Sequence, residues 1–207
     1  MPQSVRDATA KACIAFLFLA VTIMPSILHA DTQPHHPFRT LASHPHLEAA
    51  TEDVATIDAI VEALAKTISA PAGGVIDSKR LASLFIPGGR IVIGVDPKPG
   101  RSADVVLVSP NEYADNFNRA MKASSSREGG FFDRVVANRV EHFGIMAHVY
   151  SSYESRESLS GSKPFRRGIK SFELLKSGER WYIVELYYDF ERPGTPISAT
   201  YMKPSKE

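Results

Sequence analysis

The C-terminal third of the chain, residues 131–192, constrains the fold more than any other segment. Its pattern predicts two consecutive β-hairpins, because runs rich in aromatic and β-branched residues are interrupted twice by short turns that contain glycine. The predicted strands are 132–142 and 145–155 around Phe143-Gly144, then 165–176 and 179–189 around Ser177-Gly178. A curved antiparallel sheet of this kind usually covers a pocket or the surface of a partner.

The turns also predict which residues face each other across the hairpins. In the second hairpin the predicted cross-strand pairs are Leu174 with Trp181, Phe172 with Ile183, Lys170 with Glu185, and Arg166 with Asp189. The last two pairs carry opposite charges, so we interpret both acidic residues as structural partners of the basic ones. In the first hairpin the predicted pairs are Arg139 with His148 and Ala137 with Tyr150.

The first 30 residues predict a secretory signal peptide. Arg6 and Lys11 form a positively charged start, residues 13–28 form an apolar run, and Ala30 is a small residue at the predicted cleavage point. The alternative is a membrane anchor. However, the run is shorter than the roughly 20 apolar residues of a spanning helix, and it contains Pro25. We therefore expect a secreted or periplasmic protein with no membrane partner after cleavage.

Loss of the signal peptide would also change the composition. The one cysteine, Cys13, would leave with it, so the mature chain could form no disulfide. The whole chain has 24 basic and 23 acidic residues, and the loss of Arg6, Lys11 and Asp7 makes the two numbers equal. A neutral protein has no electrostatic footprint for nucleic acid, so we expect no nucleic-acid partner. The remaining length fits one domain.

Residues 31–47 predict a disordered linker that is rich in histidine and proline. Prolines interrupt regular structure there, and the histidines of the segment are His35, His36, His44 and His46. A histidine tract can bind metal, but a flexible tract supplies no fixed coordination geometry. We interpret the segment as a polar leader and predict no metal site in it.

The middle of the chain predicts helices and two strands. Apolar residues recur at helical spacing from Val54 to Ile68, with Thr51 as the predicted cap, and a shorter helix starts at Asp77. Strands are predicted at 90–95 and 104–108. A capping box then starts another helix, formed by Ser109, Pro110 and Glu112. Its aromatic-rich stripe consists of Tyr113, Phe117 and Met121.

The order of these elements resembles the nuclear-transport-factor-2-like superfamily, which includes the SnoaL-like and ketosteroid-isomerase-like proteins. The segments that carry the resemblance are DVATIDAIVEAL, RLASLFIPGGRIVI, AHVYSSYESR and RGIKSFELLKSGERWYIVELYYDFER. The resemblance implies an α+β cone, in which a strongly curved antiparallel sheet wraps around about three helices and leaves a pocket. It assigns residues 48–195 to the cone domain and 196–207 to a flexible tail. It also implies frequent homodimerisation through the exposed face of the sheet.

The resemblance does not transfer a catalytic set to this chain. The superfamily's enzymes place an Asp or His base and a Tyr or Asp acid inside the cone, and no such set matches here residue by residue. The weak catalytic candidates are His148, as a general base, and Tyr150, as a hydrogen-bond donor to a ligand carbonyl. The residues predicted to bind a ligand are Tyr150, Phe172, Trp181, Tyr187 and Phe117.

Three functions remain open from the sequence. The first is a secreted, noncatalytic domain that binds a small apolar or aromatic molecule in the cone pocket. The second is a cofactor-independent isomerase, dehydratase or hydrolase that uses His148 and Tyr150. The third is a dimeric interaction module that uses the sheet face. We expect no nicotinamide or flavin cofactor because the chain has no GxGxxG motif or βαβ unit. His142 and His148 are predicted on opposite faces of one hairpin and do not suggest a metal site.

Overall fold

The computed structural model describes residues 40–95, 104–123, 129–160 and 163–203, which lie within one compact unit that starts at Phe38. The predicted signal peptide and most of the predicted linker lie outside the described residues. In chain order the helices are α1 (Thr51–Val54), α2 (Ile57–Thr67), α3 (Ser78–Ser83) and α4 (Pro110–Ala123). The strands are β1 (Phe85–Val95), β2 (Asp104–Val108), β3 (Phe132–Phe143), β4 (Met146–Arg156), β5 (Arg166–Ser177) and β6 (Arg180–Phe190).

The first predicted helix is two helices in the structure. Thr56 adopts an extended backbone conformation between α1 and α2, and its side chain accepts a hydrogen bond of 3.0 Å from the backbone N–H of Ala59. Thr56 therefore caps α2, and the prediction that Thr51 caps one continuous helix is wrong. A threonine hydroxyl competes with helical hydrogen bonding inside a helix but satisfies a free N–H at its start.

The two other predicted helix starts are confirmed. Asp77 caps α3 by accepting hydrogen bonds from the backbone N–H groups of Lys79 and Arg80. At the start of α4 the Glu112 carboxylate accepts a hydrogen bond of 2.8 Å from the backbone N–H of Ser109, while Ser109 Oγ accepts one from Glu112. The carboxylate also accepts a hydrogen bond from Ser109 Oγ, and the two bonds that it accepts from Ser109 lower the pKa of Glu112. The capping box fixes the position at which α4 leaves β2.

All six strands form one sheet in the order β2-β1-β6-β5-β4-β3. The prediction of a wholly antiparallel sheet is wrong at one pair, because β1 and β6 are parallel. β1 also starts at Phe85, five residues before the predicted Arg90. A register shift between Phe85 and Arg90 accommodates Pro87-Gly88-Gly89, where Gly88 has a φ of +82°. Pro87-Gly88-Gly89 thus forms an irregular stretch within β1.

Both hairpins pair in a register different from the predicted one. Their turns are Gly144-Ile145 and Gly178-Glu179, each one residue later than predicted, and both glycines have a φ of +58°. The tight turns that match the strand twist need positive φ at the first central residue, and this is the position that glycine takes. In the first hairpin His148 consequently faces Glu141, and Tyr150 faces Arg139.

In the second hairpin the predicted charge pairs are wrong. A register irregularity beside Glu173 adds to the displaced turn, so Lys170 faces Tyr188 and Asp189 faces Ile169. The ion pairs that form instead are Arg90 with Glu185 at 3.0 Å and Arg192 with Asp189 at 2.5 Å. Glu185 and Asp189 are still structural partners of basic residues, but these are arginines other than the predicted Lys170 and Arg166.

The helices cover one face of the sheet, which we call the inner face. Fully buried residues from both layers form the core, among them Ile60, Leu64, Leu81, Val149, Phe172 and Ile183. The predicted α+β class, with a sheet around helices, is confirmed. We call the opposite face of the sheet the outer face.

The described part of the predicted flexible tail lies against the sheet. Ala199–Met202 forms a short 3-10 helix in which the carbonyl of Tyr201 accepts a hydrogen bond from Ser152 Oγ. Arg139 donates a hydrogen bond of 2.8 Å to the carbonyl of Thr200, and its guanidinium lies 4.9 Å from the centroid of the Tyr201 ring. Residues up to Lys203 are therefore part of the folded unit, because Tyr201 has aromatic and cationic partners on β3 and β4.

Candidate functional site: a cavity on the inner face

A cavity of about 240 Å³ lies between α4, the β1–β2 hairpin and the inner face of the C-terminal strands. Much of its wall is apolar: Ile68, Ile93, Val106, Val108, Phe117 and Phe131. The polar part consists of Asp133, Tyr153, Ser155, Arg166, Lys170 and Tyr188, with Tyr113 and Asn116 on the helix. An apolar wall with a few clustered polar groups is the usual composition of a small-molecule site.

The aromatic stripe of α4 forms one side of the cavity. The Tyr113 and Phe117 rings are stacked with centroids 6.3 Å apart, and Phe117 contacts Phe131 edge to face at 5.1 Å. Phe131 in turn contacts Phe165 at 5.8 Å. The stripe spacing of α4 thus brings one helical face over the start of β3, where Tyr113, Phe117 and Phe131 form part of the cavity wall.

A buried ion pair forms the floor of the cavity. Lys170 Nζ contacts Asp133 Oδ2, and the two side chains are only 5% and 1% exposed. Ser155 Oγ donates a hydrogen bond of 2.9 Å to the other carboxylate oxygen of Asp133. Burial lowers the pKa of Lys170, and the charge of Asp133 partly opposes that effect. Buried charges are costly unless they are paired, so a pair of this kind beside a cavity marks a candidate functional site.

The strand registers explain why these groups meet. Asp133 faces Ser155 across the β3–β4 ladder, and Ser155 faces Arg166 across the β4–β5 ladder. The three residues therefore form a row over three strands on the inner face. Lys170 lies on the same face four residues after Arg166, because side chains alternate along a strand.

Tyr153 lines the cavity beside this cluster, and its hydroxyl is buried. The residue is 3% exposed, and its hydroxyl has no hydrogen-bond partner among the described residues. Its ring lies over Lys170 Nζ at 3.8 Å from the centroid, and it meets the Tyr188 ring edge to face at 6.3 Å. Burial, reinforced by the charge of Asp133, raises the pKa of Tyr153 well above its usual range. The hydroxyl is therefore a neutral donor at physiological pH.

Gly168 makes room for the Tyr153 ring. The two residues face each other across the β4–β5 ladder. A Cβ atom added to Gly168 would lie 2.6 Å from Cε1 of Tyr153 and would also meet the carbonyl oxygen of Asp189. Only glycine allows the ring to lie flat over the strand at this point, so this glycine sets the position of the free hydroxyl.

Arg166 brings a further positive charge to the cavity. It is exposed, and its guanidinium lies 4.8 Å from the centroid of the Phe190 ring. Within the described residues it forms no ion pair with a carboxylate. The lining thus holds one carboxylate, that of Asp133, against the two cations Lys170 and Arg166.

The residues that the sequence predicted for ligand binding do not come together. Phe117 lines the inner cavity. Phe172 and Trp181 are 0% and 5% exposed and belong to the packed core, where Trp181 contacts His142 edge to face at 5.5 Å. Tyr150 and Tyr187 line a separate groove of about 460 Å³ on the outer face, with Val92, Val105 and Ile169. The assignment of all five residues to ligand binding stays a prediction.

The two catalytic candidates lie together on the outer face, away from the cavity. The rings of His148 and Tyr150 have centroids 6.4 Å apart. His148 Nε2 is hydrogen-bonded to Ser171 Oγ at 2.7 Å and lies 3.9 Å from a Glu173 carboxylate oxygen. Partial burial raises the pKa of Tyr150, whose ring meets that of Tyr201 edge to face at 5.1 Å. Their catalytic role stays a prediction.

Sequence reasoning missed the central residues of the cavity, which are Asp133, Tyr153 and Lys170. The predicted register puts the turn one residue too early and therefore places Lys170 opposite Glu185. A usable signal was present, since Tyr153 and Ser155 continue the inner-face alternation of Ala147 and Val149 on β4. Polar residues at buried positions of such an alternation are a known mark of a site.

Two further features of the described residues concern metal ions and membranes. In the part of the chain that the structure describes, no group of three or more His, Cys, Asp or Glu side chains is arranged to hold a metal ion. His35 and His36 lie outside that part. Among the described helices, none has the length and apolar character needed to cross a membrane.

The element order and the helix-covered sheet agree with the architecture that the sequence resemblance implied. No protein-family model and no curated protein sequence matches the chain.

Solved structures similar to the chain include three bacterial proteins of unknown function. One is a nuclear-transport-factor-2-like protein from Silicibacter pomeroyi, with 18% identity and a TM-score of 0.40 over 65% of this chain and 92% of that one. A protein with a cystatin-like fold from Nostoc punctiforme has 14% identity and a TM-score of 0.44 over 70% and 96% of the two chains. One from Mycobacterium tuberculosis has 14% identity and a TM-score of 0.47 over 69% and 75%.

Proposed function

We propose that this protein binds a small, largely apolar molecule in the inner cavity without transforming it. The observation that carries the proposal is the Tyr153 hydroxyl, which is buried at the cavity and has no hydrogen-bond partner among the described residues. Leaving such a group unsatisfied costs about 1–3 kcal/mol. A ligand that accepts its hydrogen bond would recover much of that free energy. The cavity is smaller than the roughly 300–1,000 Å³ of drug-sized sites, which favours a small ligand.

Binding is better supported than turnover by the state of the polar groups. The Asp133 carboxylate already accepts hydrogen bonds from Lys170 and Ser155, so it is poorly suited to act as a free base. Tyr153 keeps its proton near neutral pH. His148 and Tyr150, on which the predicted isomerase, dehydratase or hydrolase activity depends, lie on the outer face. Tyr150 lines the open groove, and His148 lies in a separate depression beside Glu141 and Glu173.

The proposal is tested by thermal unfolding of the purified protein with a panel of small aromatic and aliphatic acids, alcohols, amides and ketones. A ligand of the native state raises Tm with its concentration. Its affinity should fall about tenfold in Tyr153→Phe, which loses one hydrogen bond. Tyr150→Phe, on the outer face, is the matched control and should bind as the wild type does. A protein that gains no stability from any compound, and carries none in native mass spectrometry, would contradict the proposal.

Export to the periplasm or medium belongs to the same proposal. It rests on the charged start, the apolar run and the small residue Ala30 at the N-terminus. Expression of the full chain in a bacterium, followed by fractionation and intact-mass measurement, should yield a periplasmic or secreted form that begins near Asp31. A cytoplasmic product of full mass would contradict this part.

A further inference from the structure

We infer that the ligand of the inner cavity is an apolar monocarboxylate whose carboxylate lies between Arg166 and the Tyr153 hydroxyl. The inference rests on the proposed binding function and specifies the chemical class of the ligand. It is carried by the charge balance of the cavity lining, the free hydroxyl, and the relative position of the two side chains on the sheet.

The first step concerns charge. Lys170 and Asp133 neutralise each other in a pair that is almost completely buried. Arg166 remains as a guanidinium at the cavity with only the Phe190 ring face as a described contact. The Asp189 carboxylate also acts electrostatically on Tyr153, but it is paired with Arg192 at 2.5 Å. The lining therefore has one positive charge in excess, which a single negative charge on the ligand would balance.

The second step concerns geometry. Arg166 faces Ser155, while Tyr153 faces Gly168, so Arg166 and Tyr153 are diagonal neighbours on the inner face of adjacent strands. Diagonal neighbours of this kind lie roughly 7–8 Å apart at the backbone, within reach of long side chains. Burial raises the pKa of both Tyr153 and Tyr188, and the charge of Arg166 partly offsets that rise, which agrees with a guanidinium near both side chains. A carboxylate there could accept from the phenol with one oxygen and from the guanidinium with the other.

The third step excludes other ligand classes. A cationic ligand would meet Lys170 and Arg166 and would find Asp133 already bonded to Lys170 and Ser155. A neutral ketone or amide would satisfy the Tyr153 hydroxyl but would gain no ion pair with Arg166, so it should bind less tightly than the matching carboxylate. A dianion such as a phosphate ester would bring two negative charges to a lining that has one positive charge in excess. The rest of the ligand would contact Val106, Val108 and the aromatic face of α4, which favours an apolar body.

The test compares carboxylates with their own uncharged amides. Isothermal titration is carried out with benzoate, phenylacetate, 3-phenylpropanoate and octanoate, each paired with the corresponding amide. In at least one pair the acid should bind ten times more tightly than the amide or better. This preference should fall to within about threefold in Arg166→Gln. It should also weaken as salt rises, because screening reduces the attraction to an exposed charge.

The adjacent residue provides the control. Arg167 lies on the other face of β5 and is ion-paired with Glu191 at 2.8 Å, so Arg167→Gln should keep the full preference for acids. Equal binding of acid and amide in every pair would overturn the inference and leave the proposed function standing. A preference that persists in Arg166→Gln would overturn the assignment of the site. Failure of all these compounds and of the wider neutral panel would instead contradict the proposed function itself.

Discussion

At the scale of single residues, the buried pair of Lys170 and Asp133 is the most demanding feature of the molecule. Each side chain has left water almost completely. Lys170 is held by Asp133, and Asp133 is held by both Lys170 and Ser155. Loss of one partner leaves an uncompensated buried charge, whereas loss of both leaves none. The pair therefore has a thermodynamic signature that an exposed ion pair cannot produce.

We predict that Lys170→Met lowers the free energy of unfolding by about 3–5 kcal/mol, because it leaves the buried charge of Asp133 unpaired. The double variant Lys170→Met with Asp133→Asn should recover at least half of this loss. Urea denaturation followed by circular dichroism measures both. The matched control is Arg134→Met, next to Asp133 in the sequence. Arg134 is exposed, and its partner Glu154 keeps an ion pair with Arg156 at 2.8 Å, so the loss should be less than about 1 kcal/mol. Similar losses for Lys170→Met and Arg134→Met would contradict the prediction.

The raised pKa of Tyr153 predicts that the stability of the folded protein falls at alkaline pH. Its pKa in the folded protein is raised above the ordinary 10.0, so above pH 10 the unfolded chain releases this proton first. The folded state then binds more protons than the unfolded state, and stability falls as pH rises, by up to about 1.4 kcal/mol per pH unit for one group. Tyr153→Phe should remove that part of the slope between pH 10 and 11. The control is Tyr187→Phe, which removes an exposed tyrosine and should leave the slope unchanged. An unchanged slope in Tyr153→Phe would contradict the assignment.

At the scale of secondary-structure elements, the hairpin turns decide which residues meet. The sequence was sufficient to predict both hairpins, α3, α4 and β2, because glycine, capping residues and alternation act locally. It was not sufficient for the registers, since a two-residue turn can be placed around Gly144 or Gly178 in two ways. Local sequence patterns also do not predict that β1 pairs with β6, because these two strands are far apart in the sequence and no turn connects them. The sequence does not point to Asp133, Tyr153 and Lys170 for the same reason: they meet only when both registers, β3 with β4 and β4 with β5, are correct.

Replacement by alanine should lower stability less at Gly178, in the turn after β5, than at Gly168, within β5. Gly178→Ala places a side chain at positive φ with no steric contact, and should cost about 1 kcal/mol. Gly168→Ala forces a methyl group into the Tyr153 ring and the backbone of Asp189, so it should cost about 1–3 kcal/mol or more. Thermal unfolding compares the two. Equal losses would mean that Tyr153 does not lie over Gly168.

At the scale of the whole molecule, the outer face divides into a covered part and an open part. The 3-10 helix Ala199–Met202 covers part of β3 and β4 through Tyr201, while no described residue covers the groove beside β1 and β6. Val105 and Tyr187, in that groove, are 63% and 41% exposed. An apolar region of this kind often forms an interface. The homodimer that the resemblance implied would therefore use this open half of the sheet.

We predict that the protein is a homodimer in solution at micromolar concentration and that Tyr187→Arg raises the dimer dissociation constant at least tenfold. The reason is that the variant brings two like charges together at a two-fold contact. Light scattering coupled to size exclusion measures the mass across a dilution series. Phe143→Arg, at the hairpin tip outside the groove, should leave the dimer intact. A wild-type monomer at high concentration would rule the interface out.

The parallel pairing of β1 with β6 determines the order in which the chain can fold during its synthesis. Arg90 and Glu185 face each other although about 95 residues separate them. The β1–β2 hairpin leaves the ribosome first and cannot join the sheet until the last strand has been made. Contacts this distant in sequence form slowly. A chain destined for export would consequently stay open, and competent for translocation, until its C-terminal strand is complete.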